Sequence, residues 1–83
     1  MYHIELMSRA VKDLKQIPKL DAKKVVGKLQ QLENGLSVNV KKLTNFSPEY
    51  RLRVGDYRVL FEIENQLILV YRVKHRKDAY GKG

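Results

Sequence analysis

Residues 50–80 read YRLRVGDYRVLFEIENQLILVYRVKHRKDAY, and this stretch decides the fold. From Tyr50 to Val54 the even positions are apolar and the odd ones are arginine; from Tyr57 to Ile63 the odd positions, Tyr57, Val59, Phe61 and Ile63, are apolar. Period-2 alternation marks strands with one buried and one exposed face. Gly55-Asp56 supplies a two-residue hairpin loop, which sets Val54 opposite Tyr57, Leu52 opposite Val59 and Arg53 opposite Arg58. For the next connection a three-residue loop, Glu64-Asn65-Gln66, keeps the apolar set on one side, because a one-residue slip would turn every side chain over. That register predicts Val59 opposite Tyr71, Phe61 opposite Leu69, and Arg58 opposite Arg72, with Arg53, Arg58 and Arg72 in a row.

Arg51, Arg53, Arg58, Arg72 and Arg76 all fall in this stretch; elsewhere the chain relies on lysine, with Arg9 its one other arginine. Like charges opposed across strands destabilise a sheet, so a solvated face with no task would mix Lys, Thr and Glu. A guanidinium fork matches phosphate bidentately, and a row of forks suits a polyanion. The pattern predicts a phosphate-binding face.

Upstream, Tyr2 to Leu6 alternates as a short strand. Ser8 is placed to cap a helix whose apolar face is Ala10, Val11, Leu14 and Ile17, ended by Pro18. Asp21 is placed to cap a second helix to about Asn34, with Val25, Val26, Leu29 and Leu32 as its stripe and Lys23, Lys24 and Lys28 in water; Asn34-Gly35 stops it. Leu36 to Glu49 reads as a loop. The order β-α-α-β-β-β predicts an α+β, two-layer domain over residues 1–83, a helical hairpin on one face of a small, mainly antiparallel sheet and arginines on the other.

Eighty-three residues with 17 basic and 9 acidic side chains carry a net charge of +8, which favours nucleic acid or another acidic surface as partner. There is no cysteine, hence no disulfide or thiolate site, and His3 and His75 lie far apart with no metal-ligand spacing around them. No apolar run approaches the ~18–20 residues of a membrane span. A cytoplasmic protein without metal or cofactor is expected.

The element order, together with Tyr-Arg-Leu-Arg-Val-Gly-Asp-Tyr-Arg-Val (50–59) and Val-Lys-His-Arg-Lys-Asp-Ala-Tyr (73–80), resembles the RelE/ParE toxin superfamily over nearly the whole chain. The resemblance implies a toxin neutralised by a cognate antitoxin. In the RelE branch it implies a ribosome-dependent endoribonuclease that cuts mRNA in the ribosomal A site, without metal, by attack of the RNA 2′-hydroxyl. The ParE branch instead poisons DNA gyrase and generally lacks the C-terminal basic and tyrosine set. By the same resemblance Arg58, Arg76 and Tyr80 fall on catalytic positions, and Arg51 and Arg53 stand where RelE has lysines. Arginine stays protonated, so these two bind and stabilise charge and do not act as bases.

Arg72 and Lys74 join Arg51 and Arg53 as substrate-binding candidates. His75 is the one group near the arginines with an ordinary pKa close to neutrality, which makes it a candidate for proton transfer beside Tyr80. Its parity after Val73 equally allows it to turn toward the core edge as a packing residue. A generic RNA-binding domain ranks behind both toxin readings, since no exposed aromatic pair on the sheet offers a stacking platform.

Overall fold

The computed structural model describes residues 2–35, 39–43, 45 and 47–79. The order is β1 (His3–Leu6), α1 (Ser8–Gln16), α2 (Lys19–Leu32), β2 (Val40–Lys42), β3 (Tyr50–Val54), β4 (Tyr57–Glu64), β5 (Leu67–His75) and a short α3 (Arg76–Ala79). The strands form one five-stranded sheet in the order β1-β5-β4-β3-β2, antiparallel except where β1 runs parallel to β5. The architecture is the α+β arrangement expected, with two additions, the short α3 in the basic tail and a strand before β3. The segment read as a loop contributes β2, paired through Val40 to Leu52, Lys41 to Arg51 and Lys42 to Tyr50. Three residues are too few to display an alternation.

The helix starts also differ from expectation. Ser8 is the first helical residue of α1, and α2 begins at Lys19 behind Pro18, so Asp21 sits in its first turn; neither helix has a side-chain cap bond. Pro18 still separates the helices, because a residue preceding proline is pushed into extended geometry, as Ile17 is at φ −100° and ψ 162°. Ala10 of α1 and Val25, Leu29 and Leu32 of α2 bury their stripe against Leu52, Val54, Val59, Phe61, Ile68, Val70 and Val73. Phe61 is fully buried and stacks on Tyr50 at 5.5 Å between ring centroids. Val26, expected in that stripe, is exposed.

The β3–β4 register is as expected: Leu52↔Val59, Arg53↔Arg58, Val54↔Tyr57. The β4–β5 register is not. Glu64 pairs directly with Leu67, so the turn is the two residues Asn65-Gln66, with Asn65 at φ 57°. Ile63 then faces Ile68 and Phe61 faces Val70, after which the ladder slips: Leu60↔Arg72, Val59↔Val73, Arg58↔Lys74, Tyr57↔His75. Tyr71 is the extra residue of a β-bulge, and the bulge restores the apolar set to one side without lengthening the turn. Arg72 therefore lies opposite Leu60, and Lys74 takes the place beside Arg58 that was expected of Arg72.

Candidate functional site

Directly opposed residues of antiparallel strands share a face, with Cα atoms about 4.5–5.5 Å apart. The pairing Arg53↔Arg58↔Lys74 thus forms a cationic row across β3, β4 and β5 on the face away from the core cluster. One step along the strands, Lys41 pairs with Arg51 and Arg51 with Leu60. Lys41, Arg51, Arg53, Arg58 and Lys74 consequently share one face, beside Leu60 and Leu69, which are buried there.

Within this row Arg58 is only 6% exposed. Its Nη1 donates to the carbonyl oxygens of Gly55 and Tyr57, both at 2.9 Å, so the guanidinium is held against the β3–β4 turn. Gly55 permits that turn by adopting φ 57°. Arg53, by contrast, is exposed.

Arg72 is engaged elsewhere. Its Nε donates to Asp13 Oδ2 at 2.8 Å and its Nη2 to Asp13 Oδ1 at 3.1 Å, a bidentate pair between β5 and α1. Asp13 Oδ2 also accepts the Val73 amide at 2.9 Å. The reason lies in the topology: β1 ends at Leu6, opposite Val70, and among the described residues no strand pairs with β5 on that side beyond it. A carboxylate from the helix takes the exposed amide, as a neighbouring strand otherwise would. Burial pushes the Asp13 carboxyl up, but the hydrogen bonds from Arg72 and the Val73 amide, with the charges of Arg72 and Arg9, hold it below its ordinary value. The Asp13 hydrogen bond likewise raises Arg72 against the opposing effect of burial.

A lowered carboxyl stabilises the fold above its unfolded pKa, and that stabilisation is lost as pH falls through the folded one. Urea denaturation at a series of pH values is therefore expected to show a wild-type loss that sets in below about 3.8, the ordinary value. Asp13→Asn is expected to be less stable above that pH and to lack this contribution to the acid loss.

The remaining candidates lie where β5 meets α3. The Arg76 amide donates to the Asp56 carbonyl at 2.7 Å, and its Nε stands 3.9 Å from Asp56 Oδ1 with both side chains exposed. This contact ties the start of α3 to the hairpin. His75, opposite Tyr57, faces the helical side, and the rings meet edge to face at 5.6 Å. Of its two readings, the turn toward the core edge is the one the register produces. His75 Nδ1 accepts the Lys77 amide at 3.2 Å, so the neutral ring carries its proton on Nε2 and presents a donor there. Tyr80 lies outside the described residues.

Tyr57, which meets the His75 ring, and Asp21, which meets Tyr57, carried no functional signal in the sequence. The Tyr57 hydroxyl donates to Asp21 Oδ2 at 3.1 Å, joining the hairpin to the first turn of α2. Burial raises the Tyr57 phenol, and the hydrogen bond and charge of Asp21, with the charge of Asp56, raise it further. Tyr57 is thus a hydrogen-bond donor at neutral pH, not a base. Tyr57, His75, Asp21 and Lys24 line a cleft of about 360 Å³ beside the hairpin.

Of the expected site residues, those described other than Arg72 are brought to one end of the sheet but not to one face. Arg51, Arg53, Arg58 and Lys74 lie outside, His75 lies on the helical side, and Arg76 begins the helix between them. The sequence matches the family described as ParE toxin of type II toxin-antitoxin system, parDE, over residues 4–80. The chain belongs to the RelE/ParE superfamily of toxins. Among RelE/ParE relatives it is 36% identical over 75 residues to Toxin RelE3 of Methanocaldococcus jannaschii, covering 84% of this chain and 85% of that one. It superposes on the RelB-RelE antitoxin-toxin complex from Methanococcus jannaschii with a TM-score of 0.75 and 32% identity, covering 90% of this chain and 93% of that one. The toxin-antitoxin complex RelBE2 of Mycobacterium tuberculosis gives a TM-score of 0.78 at 26% identity, with 93% of each chain covered. These structures share the α+β fold of this RelE/ParE toxin.

Proposed function

We propose that this RelE/ParE toxin is a cytoplasmic, single-domain, ribosome-dependent endoribonuclease that cuts mRNA in the ribosomal A site and so stops translation. The observation that carries the reading is the cationic face of Lys41, Arg51, Arg53, Arg58 and Lys74. A face of that kind tracks a phosphodiester backbone and offsets the negative charge that gathers on phosphorus during attack. In the proposed reaction the 2′-hydroxyl attacks the adjacent phosphorus and the P–O5′ bond breaks. The products are a 2′,3′-cyclic phosphate and a 5′-hydroxyl, and no metal is required.

Arg58 and Arg76 act as transition-state cations, Arg51, Arg53 and Lys74 hold the strand, and the bidentate pair with Asp13 makes Arg72 the scaffold of that edge. Proton transfer falls mainly to Tyr80. His75, whose Nδ1 is occupied, contributes a hydrogen bond from Nε2. Accordingly Tyr80→Phe is expected to cost nearly as much activity as Tyr80→Ala, and His75→Gln less, in single-turnover cleavage with saturating ribosomes. Full activity in both Tyr80→Phe and His75→Gln would remove the tail from proton transfer.

The neutralising partner is proposed to be a cognate antitoxin with an acidic, partly disordered segment, complementary to the charge of +8. Leu20 and Val26 stand exposed on α2 among its lysines, a mixture that such a segment would cover. The matched family description names ParE, and the ParE branch of the resemblance supplies a second reading, an inhibitor of DNA gyrase that performs no chemistry. Primer extension on mRNA from translating ribosomes separates the two. Breaks that require both ribosomes and toxin support the nuclease; intact mRNA with accumulating gyrase–DNA cleavage complexes supports the inhibitor.

A further inference from the structure

A groove of about 550 Å³ opens at the edge of β5, between the end of α1 and the β5–α3 corner. It exists because β1 stops opposite Val70, leaving Tyr71 to His75, five of the nine residues of β5, to face α1 across a gap that Asp13 spans at one point. Side chains from both sides of the strand reach it: Lys74, which belongs to the cationic row, and His75, which belongs to the helical side. The groove is therefore where the two halves of the site meet.

The lining has a definite chemistry. Ile17, Pro18 and Val73 supply apolar surface, and the rings of Tyr57 and His75 supply flat aromatic surface. Exposed Gln16, the last residue of α1, brings an amide that both donates and accepts, and His75 offers its Nε2 proton. Asp78 and Asp13 also line the groove, and the charge of Asp13 is matched by Arg72. Carboxylates at the wall make the groove unfavourable for phosphate, whereas the row outside it, from Lys74 to Arg53, favours phosphate.

We propose that this groove is a nucleobase subsite. A single strand laid with its phosphates on Arg53 and Lys74, across the charge of the buried Arg58 between them, turns one base around the β5 edge, against Tyr57 and His75. There Gln16 and the His75 Nε2 proton meet its hydrogen-bonding edge. Stacking on an aromatic wall, with a few polar groups at the rim, is how single-stranded bases are held. Gln16 is then a specificity-determining residue, and the subsite deepens the nuclease reading, on which its biological use rests.

The test needs no ribosome. Methyl and imidazole NMR spectra of the full chain are recorded while adenosine 5′-monophosphate is added, with ribose 5-phosphate as the control lacking a base. The nucleotide is expected to shift the Ile17 and Val73 methyl signals and the His75 ring signals saturably, while ribose 5-phosphate leaves the methyl signals in place. Gln16→Ala is expected to weaken nucleotide binding about fivefold, the worth of one net hydrogen bond, without changing the melting temperature. Equal shifts from ribose 5-phosphate, unmoved Ile17 and Val73 signals, or unchanged affinity in Gln16→Ala would each overturn the subsite. Nucleotide binding in a protein that leaves mRNA intact on ribosomes keeps the subsite and removes the nuclease reading; cleavage without such binding does the reverse.

Discussion

Arg58→Ala is expected to lower single-turnover mRNA cleavage by about 10²-fold or more, the scale on which a preorganised charge at a reacting oxyanion is lost. It is also expected to destabilise the fold. Read from the sequence as an exposed member of a repelling row, Arg58 would become dispensable for stability, and alanine there would leave stability unchanged or raise it slightly. The structure reverses that expectation. The side chain is 6% exposed and donates to the carbonyls of Gly55 and Tyr57. Removing it strips two turn acceptors of a charged donor, a loss of about 1–3 kcal/mol. Arg58→Lys separates the two effects: it keeps the charge near the row but loses the rigid fork. Cleavage per folded molecule, with the folded fraction taken from urea denaturation, is the quantity to compare. An Arg58→Ala protein whose folded fraction cuts normally would make Arg58 a strut of the hairpin and nothing more.

The second large effect concerns a residue with no proposed contact to RNA. Asp13→Ala removes both hydrogen bonds from Arg72 and leaves the Val73 amide without its acceptor. Breaking a fully buried pair costs roughly 3–5 kcal/mol. The Arg72 side chain is 29% exposed, so water recovers part of its charge and about 2–3 kcal/mol is expected here. Asp13→Asn keeps an acceptor for the Val73 amide and is expected to lose less. Equal losses in the two variants would mean that the charge, and not the amide, is what Asp13 serves. Hydrogen exchange at Val73 reads this directly, since the amide is expected to lose protection in Asp13→Ala.

How much of this was legible follows from where each interaction lies in the chain. The β3–β4 hairpin was readable because its loop, its alternation and its opposed arginines all fall within Tyr50 to Ile63. The next register misled because parity counting assumes an unbroken ladder. The chain instead keeps the short Asn65-Gln66 turn and corrects the mismatch later, at Tyr71, where nothing in the residue type announces a bulge. That single extra residue moves Arg72 out of the arginine row and Lys74 into it. The pairing of Arg72 with Asp13 spans 59 positions. Its only trace was that Asp13 is the one carboxylate in an otherwise basic α1. At the site, the outward arginines were visible as a periodicity, whereas Tyr57–Asp21 and the β5-edge groove depend on where β1 stops, which no local pattern encodes.

The proposal that the cationic face and tail cut RNA through its own 2′-hydroxyl is tested most directly on two mRNAs bound to programmed ribosomes. One is all-ribose; the other carries a single 2′-deoxynucleotide on the 5′ side of the A-site bond that is cut. The expected result is cleavage of the first, leaving a 2′,3′-cyclic phosphate, and no cleavage of the second at that bond. Cleavage of the deoxy-substituted mRNA at the same bond, or an all-ribose mRNA left intact by saturating toxin, would contradict it.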